Sequence, residues 1–296
     1  MSSGTDKLLQ IIDFHLSFYG RLKRTDLMAH GEISVATASR ALSEYRGRFP
    51  SHFNYNANQK AYLATEDFIP VFSHGPEDAL RYLAYRQVER IVSKVHEADL
   101  NRLPTLSTTL SVENVRKITT ALTLSRAISL DYYSASSNRN ERLIQPLAVF
   151  ESAGAWYFRV YDFDAVGFRT FRFSRVLSAK QLATTPSKVP IDTEWEEQVV
   201  VTLMPHPKHP NPEALKLDLG LTDKPVCNIT TRKALVGYLL NALHVDTSHD
   251  ADLPPNEHQL YLANRHELSD VPSLAIAPGF GLRANKEGHS CLLPES

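Results

Sequence analysis

The sequence predicts an α+β multidomain chain, and three observations carry that prediction. A helix, a short helix, a second helix after a turn, and a hairpin follow one another in the first 65 residues. The apolar period then changes from helical to two near residue 128. A length of 296 residues, 43% of them hydrophobic and 22% charged, is enough to bury two or three separate cores.

Each element follows from its residues. In DKLLQIIDFHLSFY, residues 6 to 19, Leu8, Leu9, Ile11, Ile12, Leu16 and Tyr19 fall mostly on one helical face. RTDLMAH, residues 24 to 30, is a short second helix that Gly31 can end in the left-handed conformation. Ser34 can cap the next helix, in which Val35, Ala38, Ala41, Leu42 and Tyr45 form the inward stripe. HFNYNANQKAYLAT then reads as two strands around the polar turn NANQ. That order is the order of a winged helix-turn-helix, residues 1–70. Its outward set, Ser34, Thr37, Ser39, Arg40, Ser43 and Arg46, with Arg24 and Lys60 beside it, suits base edges and phosphates in a major groove. The same set also suits the solvated face of an ordinary three-helix unit.

Residues 71–127 read as a helical linker. It holds an amphipathic helix, 76 to 97, opened by Pro76, Glu77 and Asp78, and a second helix opened by SVEN near residue 111. Between them, ADLNRLPTLSTT reads as loop. From residue 128 to 190, ISLDYYS, LIQPLAVFE, AWYFRVYDF and FRTFRFS are strands separated by SSNRNER, SAG and DAVG. Four to five short antiparallel strands curl into a small barrel, which removes exposed edges. Residues 191–296 are predicted as an α+β extension: strand QVVVTLMPH, helix TTRKALVGYLLNALHV and strand HQLYLAN, the helix offering an apolar face for a dimer contact.

Charge is uneven along the chain. Residues 1 to 65 and 134 to 180 each carry a net +3, and residues 192 to 296 carry −7, against −1 for the whole chain. An acidic tail repels DNA from that end. Cys227 and Cys291 form no CxxC pair, which predicts neither a disulfide framework nor a thiolate zinc site and fits a reducing cytoplasm. The most apolar stretch, residues 234 to 245, is too short for a membrane span, and the first residues lack a signal core. In PHPKHP, His206 and His209 are flanked by prolines with no third ligand near, so no metal site is assigned. No Walker loop, GxSxG elbow or HExxH occurs, and GFGL at 279 to 282 lacks the third glycine of a dinucleotide turn. No enzyme and no cofactor are predicted.

WYF at 156 to 158, preceded by DYYS and QPLAVF and followed by FRTFRFSRV, resembles the signature of the WYL-domain transcriptional regulators, with Phe158 in place of the name-giving leucine. The whole order, through the opening VTLMPHP of the extension, is similar to the compact BrxR/CapW-type repressors found beside phage-defence operons. The resemblance implies an Sm- or SH3-like barrel that senses an anionic nucleotide or nucleic-acid ligand, within a homodimeric cytoplasmic repressor of duplex DNA. Carried onto matching positions, the ligand would meet Tyr133, Ser134, Arg142, Arg169, Arg172 and Arg175. Guanidinium forks bind phosphate and aromatic faces stack on bases. Read as one strand, FRTFRFSRV gives Arg169 and Arg175 the parity of Phe171 and Phe173, and Arg172 the opposite parity. Those phenylalanines also suit barrel core, and the arginines also suit pairing with Asp162 and Asp164. Two other readings stay open: a single-strand-binding accessory protein that uses the barrel, with the helical head as a protein-interaction module, and a phosphodiester-cleaving enzyme.

Overall fold

The structure, a computed structural model, describes residues 4–85, 109–134, 141–182, 188–221 and 224–281. The second half of the helix expected over 76 to 97, most of the loop after it, the turn SSNRNER up to residue 140, and Cys291 lie outside the described residues. The chain divides into two compact units, Met1–Val189 and Pro190–Ser296.

The first unit begins with α1 (Gly4–Tyr19), β1 (Arg21–Leu22), α2 (Arg24–Gly31), α3 (Val35–Arg48), β2 (Phe53–Asn56) and β3 (Ala61–Ala64). Sheet order β1-β3-β2 makes a three-stranded wing; the two-residue β1 is too short to leave a periodic signal in sequence. Ala38, Ala41, Leu42 and Tyr45 of α3 are buried as their spacing predicts, but Val35 is 52% exposed because it lies in the first turn, ahead of the packed stripe. The left-handed residue after α2 is Glu32, at φ 50°, not Gly31. Gly31 serves close approach instead: a Cβ there would stand 3.0 Å from Leu8 Cδ2.

Helix α1 is buried without a break from Ile12 to Tyr19. Its Leu9, Ile12 and Leu16 enter the core of the winged helix, whereas Phe14, Phe18 and Tyr19 enter the larger core that the helices over Pro76–Tyr85 and Val112–Leu124 share with the barrel. Residues four apart share a face, and residues two apart face nearly opposite ways, so one helix serves two cores. Its buried Asp13 accepts hydrogen bonds from Tyr45 Oη (2.8 Å), His74 Nε2 (2.8 Å) and the main-chain N–H groups of Val71 and Phe72 (3.0 and 3.3 Å). That carboxylate ties α3 to the segment leading into α4 (Pro76–Tyr85). Burial alone would raise its pKa; the donated bonds, His74 foremost, outweigh burial and lower it.

Helix α5 (Val112–Leu124) is capped by Ser111, whose Oγ accepts from the Asn114 N–H, and it ends at Ser125 in the left-handed conformation, shorter than the predicted run. Five antiparallel strands follow: β4 (Ile128–Tyr132), β5 (Glu141–Ser152), β6 (Ala155–Asp162), β7 (Gly167–Arg172) and β8 (Val176–Gln181), in sheet order β7-β6-β5-β4-β8. In a flat sheet, the edge strands β7 and β8 would lie about 19 Å apart, while the four steps from Arg172 to Val176 reach about 14 Å at most. The sheet must therefore roll, and it does. Tyr132 of β4 stacks on Phe171 of β7 at 4.4 Å between ring centroids, and its hydroxyl accepts from the Arg172 N–H.

Strand β5 makes the corner. Residues up to Ile144 pair with β4, residues from Ile144 onward pair with β6, and the register shifts between Pro146 and Ala148. Pro146 thus falls beyond the end of β4, where its missing N–H leaves no partner unsatisfied. Trp156, Phe158, Phe171 and Phe173 are buried in the barrel core together with Ile128, Leu130 and Val160.

The second unit contains α6 (Thr193–Glu196), β9 (Gln198–Pro205), α7 (Pro212–Asp218), β10 (Cys227–Arg232), α8 (Val236–Ala242), β11 (Val245–Asp246) and β12 (Leu260–Leu262), with sheet order β10-β9-β12-β11. The helix expected from residue 230 starts later. Thr230, Thr231 and Arg232 pair with Val200, Val199 and Gln198, since β-branched residues beside an apolar strand favour the ladder. Val236, Gly237 and Leu240 of α8 are buried within the unit, while Leu239 is half-buried and Leu243 is exposed. His206 is fully buried and sits 3.1 Å from Asp246 Oδ2, while no group of three metal-ligating side chains occurs among the described residues. No helix among the described residues is long and apolar enough to cross a membrane.

Candidate nucleic-acid interface and barrel site

The outward face of α3 is built by the same pattern that buries the inward one. Arg40, Ser43 and Arg46 are exposed, and Thr37 and Ser39 are half-buried on the flanks. Ser34 acts first as a cap, its Oγ accepting from the Thr37 N–H at 3.3 Å and lying 3.0 Å from Thr37 Oγ1. Arg40 Nη2 donates to Thr37 Oγ1 at 3.5 Å, and Arg24 Nη1, from the start of α2, donates to Ser39 Oγ at 3.2 Å. The Arg46 guanidinium stands over the wing rings of Phe53 and Tyr62, at 5.2 and 5.9 Å from their centroids. Lys60 occupies the wing turn at φ 49°, exposed. These eight residues therefore gather on one side of the head: the capped start of α3, its exposed ridge, the start of α2 and the wing. Tyr55, 51% exposed on β2, joins them, although a lone tyrosine in a short strand carries no signal in sequence that separates it from core.

The barrel residues expected to meet ligand divide into two groups. Arg142 Nη1 and Arg169 Nε lie 3.4 and 3.6 Å from the fully buried Asp162 carboxylate, at one end of the inward face. Asp162 also accepts from the N–H groups of Asp164 and Ala165, which fixes it in place. The other group surrounds the 3-10 turn Phe173–Arg175, which replaces the single strand expected over FRTFRFSRV. There, the Tyr133 N–H donates to the Arg175 carbonyl at 2.9 Å; Tyr133 and Arg175 are exposed, and Ser134 follows Tyr133 half-buried.

Arg172 faces outward from β7, its guanidinium 5.8 Å from the Tyr157 ring, which itself stacks on Phe150 at 5.3 Å. Arg172 Nε is buried with no hydrogen-bond partner among the described residues. Arg159, absent from the set expected from sequence, lies on the same face over Phe168 at 5.7 Å. Its alternation with Tyr157 and Tyr161 in sequence was the available signal. The cations between aromatics in FRTFRFSRV thus serve two faces: Phe171 and Phe173 pack inside while Arg172 lies on aromatic surface outside.

Three family models match the chain in this order: the BrxR winged helix-turn-helix domain over residues 4–87, the WYL domain over 113–181, and the BrxR C-terminal dimerization domain over 198–268. The DNA-binding transcriptional repressor CapW of Pseudomonas aeruginosa is 28% identical over 275 residues, covering 90% of this chain and 92% of that protein. CapW of Stenotrophomonas maltophilia is 27% identical, covering 86% and 88%. A solved structure of proteasome accessory factor B/C of Arthrobacter aurescens matches 93% of this chain and 46% of that one at 17% identity, with a TM-score of 0.28, too low to equate their arrangements. Head, barrel and extension each find their model in the same polypeptide, so that the chain carries, in order, the winged helix-turn-helix, WYL and C-terminal dimerization domains of the BrxR-type transcriptional regulators.

Proposed function

We propose that two copies of this chain grip an inverted-repeat operator and that an anionic nucleotide or nucleic-acid ligand in the barrel weakens the grip. One α3 enters each of two major grooves, which sets half-sites about 34 Å apart or at a multiple of that spacing. The observation that carries the DNA part is the sidedness of α3, with Ala38, Ala41, Leu42 and Tyr45 buried and Arg40, Ser43 and Arg46 presented beside the wing. The CapW relatives are DNA-binding transcriptional repressors, and the matched dimerization domain supports a homodimer. Repression by relatives of this type also speaks against the enzyme reading.

The ligand part draws support from chemistry. Tyr133, Ser134, Arg172 and Arg175 offer hydroxyls and guanidinium forks near one turn, with the Tyr157 and Phe150 rings beside them for a flat base. Arg142 and Arg169 extend positive charge at the barrel end, partly spent on Asp162. Ligand and operator would each bias one equilibrium between placements of the heads, and linkage makes the coupling reciprocal.

Fluorescence anisotropy on operator and random duplexes tests the first part. Arg40→Ala is expected to cost about 1 to 3 kcal/mol on operator and to relax preference there, while Lys60→Ala chiefly flattens the salt dependence. Equal losses on both duplexes for Arg40→Ala remove that residue from base reading. For the second part, mononucleotides and short single strands are titrated into the complex. Release from the native protein and not from Arg172→Ala supports the barrel site; equal release from both sinks it.

A further inference from the structure

A cleft of about 320 Å³ opens between the wing and the C-terminal end of α5, lined by Arg21, Lys23, Gln59, Thr123, Leu124 and Ser125. Arg21 lies on β1, Lys23 immediately precedes α2, and Gln59 belongs to the wing turn, so three sides come from the head. The fourth comes from a helix that opens the segment matched as WYL domain. Neither cationic side chain forms an ion pair among the described residues, and Lys23 is exposed while Arg21 is half-buried.

We propose that this cleft holds a backbone phosphate of the operator, flanking the base-reading contacts. The inference rests on the duplex-binding reading above and deepens it. Its position argues for duplex DNA. Lys23 adjoins Arg24, which bonds Ser39 of α3, and Gln59 adjoins Lys60 of the wing. A strand whose groove contains α3 and whose edge meets the wing passes over the ground between those two points. Arg21 and Lys23 supply the charge there, and the exposed Ser125 hydroxyl and Gln59 amide supply neutral hydrogen bonds.

The cleft also lies on a firm frame. Gly20, at φ +63°, brings β1 so close to α5 that a Cβ would stand 3.0 Å from Thr120 Cγ2 and 3.3 Å from Leu124 Cδ1. Thr119 and Thr120 hydroxyls donate to the Phe18 carbonyl of α1 at 2.7 and 3.1 Å. At the other end of α5, Asn114 Nδ2 donates to the carbonyls of Val176 and Leu177 at the start of β8. One rod thus touches the barrel at its first turn and the phosphate cleft at its last. A phosphate in the cleft reports on where the barrel holds that rod.

The experiment uses the full chain and measures duplex affinity across salt concentrations. Removing one phosphate-neutralising cation reduces the slope of log K against log salt by about 0.9. Arg21→Ala with Lys23→Ala is expected to lower that slope by roughly 1 to 2 on operator and random duplex alike, leaving the ratio of the two affinities unchanged. Ser125→Asp, which keeps a residue tolerant of the left-handed conformation and adds negative charge, is expected to weaken both duplexes, and Ser125→Asn is expected to leave both near native. Unchanged slope and affinity in the double variant, with Arg40→Ala still relaxing operator preference, overturn the cleft and leave the reading of α3 intact. If no variant, Arg40→Ala included, alters duplex binding, the duplex reading itself falls and the cleft with it. Circular dichroism at 222 nm accompanies each variant, and a loss confined to a protein that melts early counts against the proposal.

Discussion

His15 and His30 meet at 3.2 Å in the seam between α1 and α2, ringed by Phe14, Tyr19 and Tyr82. Burial foremost, and then the charge His30 would carry, pushes the His15 pKa down to about 3; burial lowers that of His30 as well. An unfolded histidine takes up its proton near pH 6.5. Below that pH, the unfolded chain binds protons that the folded chain refuses, so stability is fully present above about 6.5 and drains away as pH falls toward 3. Asp13 of the same helix, raised by burial but held low overall by His74 and its other donors, adds to the loss only in more acid solution. The melting temperature is therefore expected to fall between pH 7.5 and 5.5, and His15→Gln is expected to flatten that fall by roughly half. A native profile flat over that range would show that these rings carry protons when folded.

Strands and helices mark where reading by periodicity works and where it stops. The stripe of α3 and the strand AWYFRVYDF were legible because one side of each is buried and the other is not. FRTFRFSRV was not legible as strand, 3-10 turn and strand, since its alternation runs through the turn and only closure of the sheet shows where pairing ends. TTRKALVGYLL defeated the helical reading for a related reason: β10 is decided by its neighbour β9, which no local window contains.

Gly237 of α8 is the sharpest constraint at this scale. A Cβ there would stand 1.7 Å from the Ser273 carbonyl oxygen, and the Gly237 N–H already donates to Ser273 Oγ at 3.1 Å. Gly237→Ala must push main chain apart and is expected to cost about 2 kcal/mol or more, read as a lower urea midpoint. Because this unit matches a dimerization domain, analytical ultracentrifugation is expected to show the variant shifting toward monomer. A native midpoint would mean that α8 slides away from Ser273 without penalty.

At the scale of the whole chain, head, barrel and extension were visible in order from the sequence, but the sharing of α1 was not. Phe14 and Phe18 fall outside the stripe read from the sequence, because the partner of Phe18 on α5, Thr119, lies about a hundred residues onward. Phe18→Ala empties a site between α1 and α5, in the core that α5 shares with the barrel, and is expected to cost about 3 to 5 kcal/mol. Hydrogen exchange is expected to speed up in α3 and in β6 together, as it must if Met1–Val189 opens as one cooperative body. Faster exchange in the barrel alone would separate the two.

That shared helix also bears on ancestry. A head whose first helix sends Phe14, Phe18 and Tyr19 into the core that α4 and α5 share with the barrel cannot be traded between relatives at a junction near residue 70, since the recipient would inherit rings shaped for another core. On the proposed reading of α3, new operators in this lineage should arise by point changes along that helix, with head and barrel passed on as a single heritable block.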